Sequence, residues 1–197
     1  FHGNLPALEA VLREVRRAGT DRVVVGGDVV PGPMPRATVD ALLDLSIPTQ
    51  FIQGNGEREV LAQLAGIDTG TVPEQFREGI RWVGQELPPE DTRLLGGWAQ
   101  TLRLGIPGLG DVLFCHATPC SDSEIFTCLT PEDCLLPVFA SVDDPVVICG
   151  HTHMQFNRSI AVVRVVNSGS VGMPFGDPGA YWLLLGPGVE LRYTPYD

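Results

Sequence analysis

The chain lacks lysine altogether, and this absence narrows the chemistry that it can perform. All 13 basic residues are arginine, and the formal net charge is −11. Without lysine there is no P-loop lysine to hold nucleotide phosphates and no amine to form a Schiff base. The acidic balance also argues against a basic surface that follows a phosphate backbone, so no long nucleic acid is expected as a partner.

Long apolar runs and patterned cysteines are missing as well. No apolar segment reaches the roughly 20 residues that span a bilayer, so no membrane association is expected. The five cysteines form no C-x-x-C pair, and Cys115 and Cys149 lie within apolar runs. This usage is typical of reduced structural thiols, which favours a cytoplasmic location.

Helix and strand patterns alternate over the first half of the chain, and strand patterns dominate the second half. Helices are predicted over 5–18, 38–45, most of 57–97 with breaks at Pro73 and Pro88-Pro89, and near 131–140. Strands are predicted over 22–25, 49–53, 101–104, 112–115, 146–149, 161–166, 181–185 and 189–193. Because no linker separates the halves, residues 1–197 are predicted to form one layered α/β domain.

Side chains that can bind metals follow four of the predicted strands. These side chains are those of Asp28, Asn55, His116 and the pair His151 and His153. Ligands in open α/β sheets bind beyond the carboxyl ends of the strands, so these residues are candidates for one shared site.

The chain has four histidines, and all of them occur in predicted loops: His2, His116, His151 and His153. Two imidazoles spaced i, i+2 in an extended segment would point the same way, so His151 and His153 could each reach one member of a metal pair. Asp28 could bridge two cations. Mixed nitrogen and oxygen ligands suit Mn, Fe, Co, Ni or Zn better than Ca or Mg alone.

Two other interpretations use parts of the same sequence. Ser168-Gly169-Ser170-Val171-Gly172 is close to a nucleophile elbow, but Ser168 replaces its first glycine, and a serine hydrolase triad would use only one histidine. A metal-binding scaffold or regulator whose hydrolytic site has decayed is the stronger alternative, because a fold does not guarantee its usual function.

The motifs occur in the order found in calcineurin-like metallophosphoesterases, which the chain resembles over nearly its whole length. The matching blocks are His2-Gly3-Asn4, Gly27-Asp28, Gly54-Asn55-Gly56-Glu57, His116 and Gly150-His151-Thr152-His153. The segment 167–174 and the closing strand pair resemble the small prokaryotic phosphodiesterase-like branch of this family.

The resemblance implies a four-layer α/β/β/α sandwich of two mixed sheets with flanking helices. It also implies two divalent cations, with Mn favoured and Fe, Ni, Co or Zn as alternatives. One cation would be held by His2, Asp28 and His153, and the other by Asp28, Asn55, His116 and His151. Asp28, Asn55 and His116 would act in catalysis, in which a metal-bridging hydroxide attacks phosphorus in line. The substrate would be a small phosphorylated molecule, and a homo-oligomer is compatible with the sequence.

The chain departs from the family pattern at two positions. The family's first aspartate would stand immediately before Phe1, so we expect an apolar strand ending in aspartate to precede Phe1. Gly56 occupies the place of a histidine that is thought to protonate the leaving group, so phosphodiesters and activated aryl esters are expected to react better than alkyl monoesters. Glu57 is expected to support Asn55 or to begin the next helix rather than to react.

Overall fold

The first helix, α1 (Leu5–Ala18), has the predicted bounds and suitable residues at both ends. The Asn4 side chain accepts a hydrogen bond from the Ala7 N–H at 3.2 Å, and Gly19 closes the helix in the left-handed conformation. The apolar face of the helix, which includes Leu8 and Leu12, is buried. The computed structural model describes residues 1–197.

Short strands and helices alternate after α1, as predicted. These elements are β1 (Val23–Val25), α2 (Pro35–Leu43), β2 (Thr49–Phe51), α3 (Asn55–Leu64), α4 (Glu74–Glu86) and α5 (Pro89–Gly96). β1 and β2 pair in parallel. The predicted start of α2 at 38 was wrong, because Pro35 is the first residue of that helix, where its missing N–H costs no hydrogen bond.

The second half of the chain contains seven strands and one helix. They are β3 (Thr101–Ile106), β4 (Gly110–Cys115), α6 (Glu132–Phe139), β5 (Val146–Cys149), β6 (Phe156–Ile160), β7 (Val163–Asn167), β8 (Ala180–Leu185) and β9 (Val189–Thr194). β3 to β7 form one mixed sheet in the order β3-β4-β5-β7-β6, in which β4, β5 and β7 are parallel.

Strand β6 was not predicted, and the predicted strand over 161–166 is only the second half of a hairpin. β6 lies at the edge of the five-stranded sheet and pairs in antiparallel with β7. Its two ends, Phe156 and Ile160, are buried, whereas the three residues between them are polar and more accessible. A strand with so few buried positions gives little apolar alternation in the sequence.

The layers are those of the expected α/β/β/α sandwich. Alternate residues of β4 divide between two cores: Leu113 and Cys115 pack with α6, whereas Val112 and Phe114 face inward toward Ile52. On the other side, α1 packs against β1 and β8. No helix of the chain is both long and apolar enough to cross a membrane.

The second sheet differs in detail from the expectation of two continuous mixed sheets. β1–β2 and the antiparallel hairpin β8–β9 form separate two-stranded sheets, because no backbone hydrogen bonds join β1 to β8. A cavity of about 870 Å³ lies between these sheets and the five-stranded sheet, and its lining includes Val24, Leu104 and Leu183. The same cavity is lined by the four histidines.

Candidate metal centre

The candidate ligands lie beyond the carboxyl ends of parallel strands, as the sequence predicted. β1 leads to Asp28, and β2 leads to Asn55, which is the first residue of α3. In the other sheet, β4 leads directly to His116 and β5 leads to His151. Because β1 is parallel to β2 and β4 is parallel to β5, these ends lie at the same edge of each sheet.

Five of the candidate ligands form two groups that share one carboxylate. His2, Asp28 and His153 make up one group, and Asp28, His116 and His151 make up the other, with the ligand atoms of each group within 4.8 Å of one another. The Nε2 atoms of His2 and His153 are 2.8 Å apart. Two ligand atoms about 2.0–2.1 Å from one cation lie roughly 3 Å apart, so this spacing fits a shared cation.

Asp28 presents a single oxygen to both groups. Its Oδ1 accepts a hydrogen bond from the Gly56 N–H at 2.7 Å, which fixes the carboxylate. Its Oδ2 lies 3.6 Å from His2 Nε2 and 3.3 Å from His116 Nε2. Oδ2 is therefore placed between the two groups, where one oxygen could contact two cations.

Four of these ligands adopt the left-handed backbone conformation that residues other than glycine rarely use. The φ angles are +54° at His2, +51° at Asp28, +64° at His151 and +59° at His153. Such conformations cost about 1–3 kcal/mol each and concentrate at functional sites. The prediction that His151 and His153 lie in an extended segment was wrong, because both adopt the left-handed conformation. Each nevertheless lies in a different group, as that prediction expected.

The sequence did not reveal the residue that holds the turn carrying His151. The Asn167 side chain is fully buried, and its Nδ2 donates to Gly150 O at 2.5 Å and to Thr152 Oγ1 at 3.2 Å. Its Oδ1 accepts from the Gly169 N–H at 2.9 Å. An asparagine at the carboxyl end of a buried parallel strand was the available signal, since such a position lies at the ligand edge of the sheet.

Glu57 supports Asp28 rather than Asn55, which corrects one of the two expectations for this residue. It is the third residue of α3, and one of its oxygens accepts from the Gly54 N–H at 2.8 Å and the Asp28 N–H at 2.9 Å. The other accepts from the Val29 N–H at 2.6 Å and the Val30 N–H at 3.2 Å. The carboxylate thus joins the start of α3 to the loop of Asp28.

The electrostatic environment of Glu57 and Asp28 is set by their shared burial. Burial raises the pKa of Glu57 to about 7, and the neighbouring charge of Asp28 adds to this rise, whereas the backbone N–H groups favour the charged form. Burial opposes ionisation of Asp28 too, but His116, His2 and the Gly56 N–H hold its pKa below the usual range. Asp28 is therefore a carboxylate at neutral pH.

Burial and the neighbouring charges set the protonation of the histidines. Burial lowers the pKa of His2 to about 3 and that of His153 to about 4, so both are neutral at pH 7, as metal ligation requires. His116 Nδ1 lies 2.7 Å from Gly26 O. A carbonyl can only accept, so Nδ1 carries a proton, and Nε2, 3.3 Å from Asp28 Oδ2, is the nitrogen available to a cation. Although burial favours its neutral form, Asp28 raises the pKa of His116.

Unpaired polar atoms give a direct test of whether cations fit here. Four buried side-chain atoms have no hydrogen-bond partner, and three of them belong to Asn55 (Oδ1), His116 (Nε2) and His151 (Nδ1). Buried polar atoms are rarely left unpaired, and two of these atoms belong to the second group, so they fit a bound cation. Imidazole nitrogens and amide oxygens are ligands of the kind that bind divalent transition metals.

The serine hydrolase interpretation finds no support in this geometry. Ser168 Oγ donates to Gly169 O at 3.4 Å, and Ser170 Oγ accepts from the Met173 N–H at 3.0 Å. Both hydroxyls therefore serve their own turn, and no histidine is hydrogen-bonded to either of them. The chain's four histidines all belong to the two cation-binding groups.

The protein thus combines an α/β/β/α sandwich with two groups of side chains that could each hold a metal ion, which is a combination typical of metal-dependent hydrolases. The chain belongs to the calcineurin-like phosphoesterase superfamily, whose domain it matches over residues 1–185. It is therefore a member of a superfamily of phosphoester hydrolases that use divalent metal ions, and the family resemblance seen in the sequence is confirmed.

Similar proteins come from archaea and bacteria. The uncharacterized protein MJ0912 of Methanocaldococcus jannaschii is 29% identical over 164 residues, which are 81% of this chain and 62% of that protein. The hypothetical protein PH1004 of Pyrococcus horikoshii has the same fold, with a TM-score of 0.85, 19% identity and coverage of 99% of this chain and 85% of its own. A metallophosphoesterase of Sphaerobacter thermophilus has a TM-score of 0.71, 24% identity and coverage of 100% and 85%.

Proposed function

We propose that this protein is a phosphodiesterase that depends on two divalent cations, with manganese as the metal. The observation that carries the proposal is the pair of histidine groups that share Asp28 Oδ2. Two cations bound there would neutralise the phosphoryl oxygens and lower the pKa of water for attack on phosphorus. His2 and His153 would hold one cation, and His116, His151 and Asn55 the other.

The protein's own groups have defined tasks in this proposal. Asp28 keeps the two cations close together because it offers one fixed oxygen to both sides. His116 is locked in one tautomer by Gly26 O, so its ring keeps a constant orientation while the substrate reacts. The amide of Asn55 lies at the start of α3 and can donate a hydrogen bond to a phosphoryl oxygen from its nitrogen.

The proposed preference for activated leaving groups follows from how the histidines are used. All four belong to the cation-binding groups, so none is left to protonate a departing alkoxide. Gly56 has no side chain, and a Cβ there would lie 2.2 Å from Val30 O. We infer that the loop around Asp28 leaves no room for a proton donor at this position. Substrates whose leaving group departs without a proton are therefore favoured.

The test is hydrolysis of an activated aryl phosphodiester by metal-stripped protein before and after addition of Mn²⁺. We expect turnover only with the metal, and loss of at least about 100-fold in the His151→Ala variant because one cation loses its ligand. Glu78→Ala changes an exposed residue of α4 and serves as the surface control. An alkyl phosphate monoester should react more slowly than the diester.

The outcome also separates the enzyme from a metal-binding scaffold. Turnover that requires Mn²⁺ and His151 would support the phosphodiesterase proposal. Bound metal measured by atomic absorption, together with no turnover in the presence of several divalent cations, would contradict it and favour the scaffold. Faster reaction of the alkyl monoester than of the aryl diester would contradict the assignment of the diester as substrate class.

A further inference from the structure

Two loops beside the metal centre carry large apolar side chains that face solvent. The first loop, residues 117–131, follows His116, and Ile125 and Leu129 on it are 76% and 84% exposed. The second loop, residues 168–179, follows β7, and Met173 and Phe175 on it are 51% and 68% exposed. We call these four side chains the apolar rim. Exposed apolar side chains that cluster beside a site often mark a binding surface.

Direct contacts attach both loops to the histidine ligands. The Phe175 N–H donates to His153 O at 3.1 Å, so the second loop is bonded to a ligand of the first cation. Cys128 Sγ lies 3.6 Å from the sulfur of Met154, the residue after His153. Leu129 follows Cys128 directly. Both loops therefore contact the segment of His153 and Met154.

The charged residues in and around the two loops argue against a highly anionic ligand. Neither loop contains a basic residue, and the first contains Asp122 and Glu124. Arg58 approaches the first loop, but its guanidinium is occupied by Asp122 at 2.6 and 3.1 Å. Arg158 donates only to backbone carbonyls of the same loop. A polyphosphate or a phosphate-rich nucleotide would find no free cation outside the metal centre.

We propose that the apolar rim binds an apolar or aromatic ester group of a monoanionic phosphodiester. This inference rests on the function proposed above and names the substrate class for the same site. The single negative charge of a diester would be met at the metal centre, and the organic group would be covered by Leu129 and Phe175. Removing apolar surface from water then contributes to binding in proportion to the area covered.

The experiment compares two phosphodiesters that differ only in their organic groups. Diphenyl phosphate and dimethyl phosphate are titrated into the Mn²⁺-loaded protein, and their Kd values are measured by calorimetry. We expect diphenyl phosphate to bind at least about 10-fold more tightly, and Phe175→Ala and Leu129→Ala each to reduce this preference by about 3- to 10-fold. Val162→Ala is the control, because Val162 is 93% exposed and lies beyond the end of β6 that is remote from His153.

Each outcome decides one of the two proposals. Equal Kd values for the two phosphates, in a protein that still hydrolyses an activated aryl diester, would overturn the rim and leave the phosphodiesterase intact. If neither phosphate binds and no diester is hydrolysed, both proposals fail. A preference that survives in both variants, accompanied by a change of oligomeric state in sedimentation, would show that the rim is instead a contact between copies of the chain.

Discussion

Replacing Glu57 by glutamine keeps the size of the side chain but removes one of its two acceptor oxygens. Each oxygen accepts two backbone N–H groups, so an amide in its place would leave either Asp28 and Gly54 or Val29 and Val30 facing a donor. The side chain is fully buried, so water cannot replace the lost acceptor. An unpaired buried group costs about 1–3 kcal/mol, and two give a loss of about 2–6 kcal/mol in the free energy of unfolding.

The same change should weaken metal binding, because Glu57 joins Asp28 to the start of α3. We expect Mn²⁺ affinity to fall about 10- to 100-fold, as when other groups that orient metal ligands are lost. Urea unfolding of the metal-free protein gives the stability change, and calorimetry gives the affinity. Glu78→Gln is the matched control, since Glu78 is exposed on α4.

The reasoning would be refuted by a Glu57→Gln variant that unfolds within about 0.5 kcal/mol of the parent and binds Mn²⁺ equally well. Such a result would mean that residue 57 does not need to accept hydrogen bonds with both of its side-chain oxygens. The geometry of Asp28 would then have to be maintained by the Gly56 N–H and the backbone alone.

Three further changes test other parts of the site. Gly56→Ala should destabilise the protein and weaken Mn²⁺ binding, because its Cβ would lie 2.2 Å from Val30 O. Gly79→Ala in α4 is the control: its Cβ would meet nothing within 4 Å, so the free energy of unfolding should rise by about 1 kcal/mol. Equal effects of the two changes in urea unfolding would contradict this contrast. Asn167→Ala should lower the Mn²⁺ affinity measured by calorimetry about 10-fold or more, because Gly150 O loses its hydrogen-bond donor. Unchanged affinity would show that the turn carrying His151 keeps its conformation without Asn167. Adding Mn²⁺ at about 100 times its Kd should raise the free energy of unfolding by about 2.7 kcal/mol, and no rise in thermal melts would argue against a folded-state site.

Local sequence signals were sufficient for most of the fold. The amphipathic pattern with Asn4 before it and Gly19 after it gave α1 its bounds. Buried strands such as β5 were recognisable as short apolar runs. β6 was not predicted because an edge strand buries few side chains. The sequence also did not predict that β1 pairs with β2 alone, because hydrogen bonds between strands leave no pattern in the sequence.

The sequence by itself determined the inventory of the site. One aspartate, one asparagine and three of the four histidines follow strands, and there is no lysine to support a different phosphate chemistry. The family resemblance already implied how these residues are grouped, but only the tertiary structure decided the backbone conformations that bring them together. His151 and His153 are separated by one residue, yet they belong to different groups, because left-handed backbone conformations turn them apart. Asn167 holds the turn that carries His151 through Gly150, 17 positions away, and Glu57 holds the loop of Asp28, 29 positions away. Such contacts form only when distant parts of the chain fold together, so they cannot be predicted from the pattern of neighbouring residues.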